Sequence, residues 1–546
     1  MSEHDNTAVV KSAIAYQRDG KLREAATLCR QVLSRDPDNA EAFSVLGILS
    51  CQLGRKDLGI GFAGRAVTLQ PNVAAYQHNY AETWLAMGEI EQAIAAYRRA
   101  VALDPNRSEP CAGLGVALHR RGLWSESVAA LRRAIDLGAR QPDTYVALAQ
   151  SLLRCRQFDE AETFLQKALD LKPDLAEAWQ VRGEILGHRQ EYPAAVAAFA
   201  RAAELAPNYA RPHHGAGVVL ALQGDFTAAA AAMDRALKLN PDYPEANCGA
   251  GAILLRVGRA ADAIVLYEKA LAASPGYLEA RADLALAYEK AGRLKDAAAQ
   301  YEILAGATVD AEFFRFQRAS LGQGEAPPAA PSTLVARLFD RYARSFDEHL
   351  TKYLGYRAPQ LIFQAVARAA PSDGLHILDL GCGTGLCGQL FKPLAAQLIG
   401  VDLSTAMVEK ARERGIYDRL IVADLLGAST ALTQRFDLIT ASDVFCYVGD
   451  LSPIFQMIAG MLRPEGLFAF TVEAIPDDER VDGGYILRQT RRYAHAASYL
   501  RQLIARHGYE LLSLEQAALR SEKQQDVQGF VVVLRCPRSG QDGGPM

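Results

Sequence analysis

Seven prolines set the ruler of this 546-residue chain. They stand at 37, 71, 105, 173, 207, 241 and 275, five times 34 residues apart and once 68. The missing mark falls on Ala139, in a stretch (LRRAIDLGARQPDTY) that otherwise aligns with YRRAVALDPNRSEPC one unit earlier. Alanine recurs five residues before every later mark, the missing one included, at 66, 100, 134, 168, 202, 236 and 270. A second small-residue column runs from 25 to 297 in the same step, with Gly59 and Ser127 as its only non-alanines. A third, five residues earlier, holds glycine at 54, 88, 122, 224, 258 and 292. Nine units fit between Asn6 and Ala311 without an insertion. Such strict periodicity marks a stacked array rather than a fold around one core. The spacing predicts two amphipathic helices per unit, with the small residues where helices cross closely and proline after the second helix, which it cannot continue.

A helical pair of this length with these columns resembles the tetratricopeptide repeat. The family pattern is kept from Glu177 to Pro207 as Trp179, Gly183, Leu186, Ala195, Phe199, Ala202 and Pro207, although Arg182 and Gln190 replace the family's leucine and second glycine. It recurs as Gly251, Leu254, Gly258, Ala263, Tyr267, Ala270 and Pro275. The resemblance covers more than half the chain and implies an all-α solenoid. Its stacked units bury a continuous core and leave a concave face for a protein partner or substrate. A rigid spacer without a ligand is the other use of such an array. The aromatics in the repeat register, Tyr97, Phe199, Tyr267 and Tyr301, are expected in the core.

Composition narrows the functions. Lys and Arg total 59 against 63 Asp and Glu, a net charge of −4, so the basic excess of a nucleic-acid binder is missing and no such partner is expected. Nine scattered cysteines without a CxxC pair argue for reduced thiols, with neither a disulfide framework nor a metal site. No run of ~18 apolar residues occurs, and the first residues lack a basic stretch followed by an apolar one, so neither membrane insertion nor a signal peptide is expected. These readings point to a cytoplasmic protein.

The rhythm changes after the ninth unit. Residues 312–320 (EFFRFQRAS) are expected to form a helix capping the last repeat. GQGEAPPAAPST, rich in proline, glycine and alanine, reads as a linker up to 333. From Leu375 onward HILDLG, AQLIGVDL, RLIVADL, FDLITASDV and LFAFTVEA read as buried parallel strands alternating with helical segments. That alternation predicts an α/β doubly wound, Rossmann-like sheet over 334–536. A helix near Ala494–Gly508 and then YELLSLEQ and GFVVVLR are expected to close the sheet with an antiparallel terminal strand pair, and residues 537–546 read as a disordered tail.

Chemistry concentrates where these strands end. In Asp379-Leu380-Gly381-Cys382-Gly383-Thr384-Gly385, glycines at a strand-to-helix turn let the backbone approach a ligand closely. Asp402 ends the second strand and Asp424 the third, so Asp379, Asp402 and Asp424 lie 23 and 22 residues apart, one strand-plus-helix unit each, at the ligand-binding edge of the sheet. An acid at such a strand tip accepts hydrogen bonds from ribose hydroxyls. Gly383 to Gly388 also spells GxGxxG, which by spacing alone fits a dinucleotide. Against this, Asp379 puts a carboxylate where a pyrophosphate would be repelled and a cationic amino group attracted.

Together LDLGCGTG, GVDLS, VADL, FDLITASDVF and LRPEGLFAF resemble the class I S-adenosylmethionine-dependent methyltransferases, over about Leu334 to Cys536. The entry segment Leu338 to Leu350 (LFDRYARSFDEHL) is similar to that of bacterial methyltransferases carrying tetratricopeptide repeats. The resemblance implies S-adenosylmethionine as cofactor. Asp379, Gly381 and Gly383 would hold its methionine end and Asp402 its ribose. Leu403 and Met407 would pack on the adenine, Asp424 would accept the adenine amino group, and Leu425 would border the ring. Ser442 would line the floor between cofactor and acceptor together with Asp443, and Tyr342 would close over the cofactor from a lid helix.

Methyl transfer is driven largely by positioning, with a base where the acceptor must lose a proton. The Asn/Asp-Pro-Pro-Tyr loop of relatives that methylate exocyclic amines of DNA bases is missing: Ser442-Asp443-Val444-Phe445 stands in its place. His495, read at a helix start, Asp443 and the weaker Tyr493 are the candidate catalytic residues. The expectation is therefore a methyltransferase whose solenoid recruits a protein or other large acceptor for O- or side-chain N-methylation. A small-molecule or glycan O-methyltransferase using its solenoid for assembly, and a non-catalytic scaffold sensing S-adenosylmethionine, are the alternatives.

Overall fold

In the computed structural model, residues 3–350, 354–369, 373–522 and 525–537 are described. The chain divides into two compact units, at Pro275/Gly276. Among its described residues the first unit holds sixteen helices, Glu3–Arg18 through Ala260–Ala273, in eight consecutive pairs. Small-residue columns set how closely the paired helices approach. A Cβ on Gly47 would lie 2.8 Å from that of Ala63, and one on Gly183 2.6 Å from the ring of Phe199. Tyr97, Phe199, Tyr267 and, in the second unit, Tyr301 are buried knobs in that packing.

The glycine column has a conformational cause. Its members at 54, 88, 122, 224, 258 and 292 all end the first helix of a pair with φ between 74° and 88°. In two units the column holds Arg156 and Gln190, and the repeat imposes the same left-handed backbone on them, with φ of 61° and 64°. For residues with a Cβ that conformation costs roughly 1–2 kcal/mol. Both side chains are exposed. Arg156→Gly and Gln190→Gly are therefore expected to stabilise the solenoid by about 0.5–1 kcal/mol each, after the entropy glycine adds to the unfolded chain. Denaturant titration of the single and double variants reads this directly.

The second unit starts one repeat earlier than the change of rhythm suggests. It takes in the ninth helical pair (Leu278–Lys290 and Leu294–Ala307) and the cap helix Ala311–Ser320. The stretch read as a linker is docked on the sheet domain. Phe316 and Ala319 of the cap form a small core with Leu487 and Tyr493, against which Ala326, Ala330 and Leu334 pack. Ala329 bridges antiparallel to Val448, the Pro328 carbonyl accepts from the N–H groups of Gly449 (2.8 Å) and Asp450 (3.0 Å), and the Ala330 N–H donates to Tyr447 (2.8 Å). Composition without a core of its own predicted freedom here; a neighbouring surface with open backbone groups supplies the order instead.

Among the described residues the sheet has nine strands: β1 (Leu375–Leu380), β2 (Ala395–Asp402), β3 (Arg419–Val422), β4 (Phe436–Ala441), β5 (Leu462–Ala474), β6 (Tyr485–Leu487), β7 (Tyr493–His495), β8 (Glu510–Glu522) and β9 (Gln525–Arg535). The order β3-β2-β1-β4-β5 is parallel throughout; β9 then joins β5 antiparallel and pairs with β8. Alternating side chains feed two layers. Leu378, Leu380, Ile399 and Val401 face one core and Ile377, Leu398, Leu438 and Val533 the other. The expected terminal pair is present. The β6–β7 hairpin is additional, and β7 occupies the stretch read as a helix start: the helix begins at Ala497 and His495 is in a strand. Past residue 537 the stretch read as a tail lies outside the described residues.

Candidate active site

Strand order reverses between β1 and β4, and the crevice at that switch is where open α/β sheets bind ligands. A cavity of about 420 Å³ occupies it. Gly381, Gly383 and Gly385 all take positive φ, of 65°, 53° and 93°. At Gly381 a Cβ would meet Val444 at 2.4 Å, whereas at Gly383 it would enter open space on the cavity side, with only Phe346 at 3.8 Å. The loop is pinned from β2: one oxygen of Asp402 accepts the Gly383 N–H and the other the Ser404 N–H, both at 2.8 Å. Burial pushes the Asp402 carboxyl up, and these N–H groups oppose the shift. Leu403, Asp424 and Leu425 line the same end, and Asp424 accepts the Gly427 N–H at 2.5 Å.

The segment before the sheet completes this end, through residues the periodicity did not single out. Asp347 takes the Thr384 hydroxyl and the Arg414 guanidinium, and Asp340 takes the Ser404 hydroxyl at 2.5 Å. Phe339 and Phe346 turn into the cavity. Tyr342 does not: its helix ends there, and the ring is exposed beside His349.

Several other expected residues are placed outside the cavity lining. Met407 is buried in the helix capped by the Ser404 side chain. Asp379 sits under the glycine loop, taking the hydroxyls of Tyr417 (2.6 Å) and Thr440 (3.0 Å), and burial, ahead of the nearby Asp402 charge, pushes its carboxyl up to about 6. His495 is fully buried, its Nε2 3.0 Å from the Gly449 carbonyl, and burial pushes the imidazole down to about 4. Tyr493 donates to the Pro327 carbonyl beneath the docked strap. The expectation of these two as catalytic groups is thus corrected: β7, held between β5 and β6, turns both rings into packing, where sequence distance alone left them free.

Ser442 and Asp443 do line the cavity, at the end of β4. The Tyr356 hydroxyl lies 3.0 Å from the Ser442 hydroxyl, and burial, then the Asp443 charge, raises the Tyr356 phenol well above its ordinary value. Asp443 has φ 56°, and its N–H donates to the Thr471 hydroxyl at 2.8 Å. Its carboxylate is gripped by Arg520, which lines the cavity with Arg492. Neither arginine was singled out from the sequence, because β8 and the β6–β7 hairpin bring them in from far along the chain. Pro328 and Ala329 of the strap form part of the wall. Among the described residues no group of His, Cys, Asp and Glu is arranged to hold a metal ion, and no helix is long and apolar enough to cross a membrane.

Comparison with known proteins agrees with this division. Residues 353–514 match the family described as a methyltransferase domain. Residues 10–74, 142–185, 215–277 and 254–319 match tetratricopeptide repeat families, and 81–122 a TPR repeat family. A ubiquinone biosynthesis O-methyltransferase of Rhodopseudomonas palustris (strain BisA53) is 33% identical over 96 residues, 17% of this chain and 38% of that protein. A malonyl-[acyl-carrier protein] O-methyltransferase of Pseudescherichia vulneris is 28% identical over 140 residues, 26% of this chain and 53% of that protein. The chain thus spans about half or less of the length of these relatives. Among solved structures, YrrB, described as a TPR protein with an unusual peptide-binding site, is 25% identical, with 34% of this chain and 95% of that chain covered and a TM-score of 0.28.

Proposed function

We propose that this chain, which joins tetratricopeptide repeats to a methyltransferase domain, transfers a methyl group from S-adenosylmethionine to an oxygen or side-chain nitrogen of a protein or other large acceptor that the solenoid recruits. The observation that carries the reading is the cavity at the β1/β4 switch, with Gly383 open on one side and the paired oxygens of Asp402 on the other. The residues present fit the cofactor. A Cβ at Gly383 would fill the space its methionine end needs, Asp402 and Asp424 offer acceptors for ribose and adenine amine, and Leu403 and Leu425 offer apolar faces. A dinucleotide fits less well. Its pyrophosphate would lie above buried Asp379, and the arginines of the cavity are already held by carboxylates.

When bound, S-adenosylmethionine supplies an electrophilic methyl group on a sulfonium. The chain's own part is positioning and proton handling. Phe339, Phe346 and the strap exclude water, Tyr356 and Ser442 offer hydroxyls to orient the acceptor, and Asp443 takes the proton an O–H or N–H acceptor releases. Both relatives named above are O-methyltransferases, which favours oxygen. The ubiquinone relative's name also supports the second reading, a small-molecule acceptor with the solenoid used for assembly.

The test uses the full chain with S-adenosylmethionine carrying a labelled methyl group and fractionated lysate. Label is expected in the acid-precipitable protein fraction. Label confined to small molecules turns the reading to the alternative. Tight binding of S-adenosylhomocysteine with no label anywhere leaves a sensing scaffold, and binding of NAD alone overturns the cofactor assignment.

A further inference from the structure

Three arginines and four carboxylates make one line of contacts from the ninth repeat to the cavity floor, all within the second compact unit. At the repeat end, Glu289 of helix Leu278–Lys290 accepts from Arg491 through both oxygens at 3.0 Å and also takes the Tyr301 hydroxyl. Arg491, in the β6–β7 turn with φ 63°, meets Gln317 of the cap helix as well. The next residue, Arg492, turns into the cavity and meets Glu522 and, at 3.7 Å, Glu473. Arg520 is almost fully buried. Its Nε donates to Glu522 at 2.7 Å, its Nη2 to Glu473, and its Nη1 to both oxygens of Asp443 at 2.8 and 2.9 Å.

A planar guanidinium with all three nitrogens engaged fixes geometry as well as charge. Asp443 needs that hold, because a non-glycine backbone at positive φ persists only where its surroundings over-determine it. We propose that Arg520 is a positioning residue that aims the Asp443 carboxylate at the site of methyl transfer, and that the ninth repeat, through Arg491, holds the hairpin carrying Arg492 that completes this grip. The terminal repeat is then part of the acceptor site's frame as well as part of the solenoid. The inference rests on the placement of Asp443 proposed above.

The test needs no acceptor. Sinefungin carries an ammonium group where S-adenosylmethionine carries the transferable methyl, and S-adenosylhomocysteine carries nothing there. The ratio of their affinities, measured by calorimetry on the full chain, reports negative charge aimed at that point, and the S-adenosylhomocysteine affinity alone reports a folded site. The wild-type chain is expected to prefer sinefungin by roughly tenfold, as a charge-assisted hydrogen bond gives, and Asp443→Asn to lose the preference. Removing a cation by Arg520→Met would by charge alone raise the preference for the cationic ligand; loss of positioning lowers it. We expect a fall to within about twofold of parity, partial recovery in Arg520→Lys, and a fall of about threefold in Arg491→Ala, which lies outside the cavity. An unchanged or raised ratio in Arg520→Met, beside a lost one in Asp443→Asn, overturns the positioning role alone. A wild-type ratio in Arg491→Ala overturns the part given to the ninth repeat. A preference kept in Asp443→Asn overturns both this inference and the placement it rests on.

Discussion

Asp402→Ala is expected to weaken S-adenosylhomocysteine binding by roughly a hundredfold or more, because one change removes both a ligand acceptor and the anchor of the glycine loop. The carboxylate holds the N–H of Gly383 with one oxygen and that of Ser404 with the other. Without it both donors lose their partner, and Gly383 is no longer fixed at the left-handed φ that opens the cavity beside it. Asp402→Asn separates the two effects. Its amide oxygen still accepts one N–H while its NH2 faces the other, so an intermediate loss, about tenfold, is expected. Calorimetric titration of wild type and both variants reads this directly, and an affinity in Asp402→Ala within twofold of wild type would falsify the cofactor geometry.

The second large effect is a pH dependence of stability centred on His495. In the folded domain its imidazole is pushed down to about 4 from 6.5 by burial. The unfolded chain therefore takes up the proton first as pH falls. The contribution is fully present above 6.5 and is lost progressively down to about 4, to a limit of about 3 kcal/mol. His495→Gln keeps a donor for the Gly449 carbonyl and removes the titration, so the variant's stability should fall less steeply between pH 6.5 and 4. Asp379 has the opposite sign. Its carboxyl is raised to about 6 from 3.8, so the folded state holds the proton longer, and its contribution is favourable below 3.8 and lost as pH rises to about 6. Denaturant unfolding of the C-terminal domain, followed at several pH values in wild type and His495→Gln, separates the two, because only the histidine term disappears in the variant. A parallel slope in both proteins would mean that His495 is hydrated and free to titrate.

How far the sequence carries differs between the two parts. In the repeats nearly everything was legible. A fixed step of 34 residues, with small residues where helices cross, determines each helical pair, and even the exceptions follow: Arg156 and Gln190 adopt the backbone that glycine adopts elsewhere in their column. In the sheet domain the strand tips were legible for the same reason, since one strand-plus-helix unit separates Asp379, Asp402 and Asp424. What the spacing could not say is which way each acid faces. Asp402 and Asp424 border the cavity while Asp379 is turned beneath the loop toward Tyr417 and Thr440.

Local pattern, which is a property of neighbours along the chain, determined the solenoid, the alternation of strands and helices from β1 to β5 and the glycine loop with its acids. The tertiary structure decided the far side of the cavity. Arg520 comes from β8, Arg492 from the turn just before the three-residue strand β7, Tyr356 from the segment before the sheet, and the wall at Pro328 and Ala329 from a stretch whose composition predicts no structure. None of these shares a period with Asp443, and they are brought beside it by contacts between residues distant in the chain, as in Arg520 with Asp443, 77 positions apart, and the bridge of Ala329 with Val448. Such contacts form because burying a guanidinium or a backbone N–H without a partner is too unfavourable, and that requirement acts only once the chain has folded.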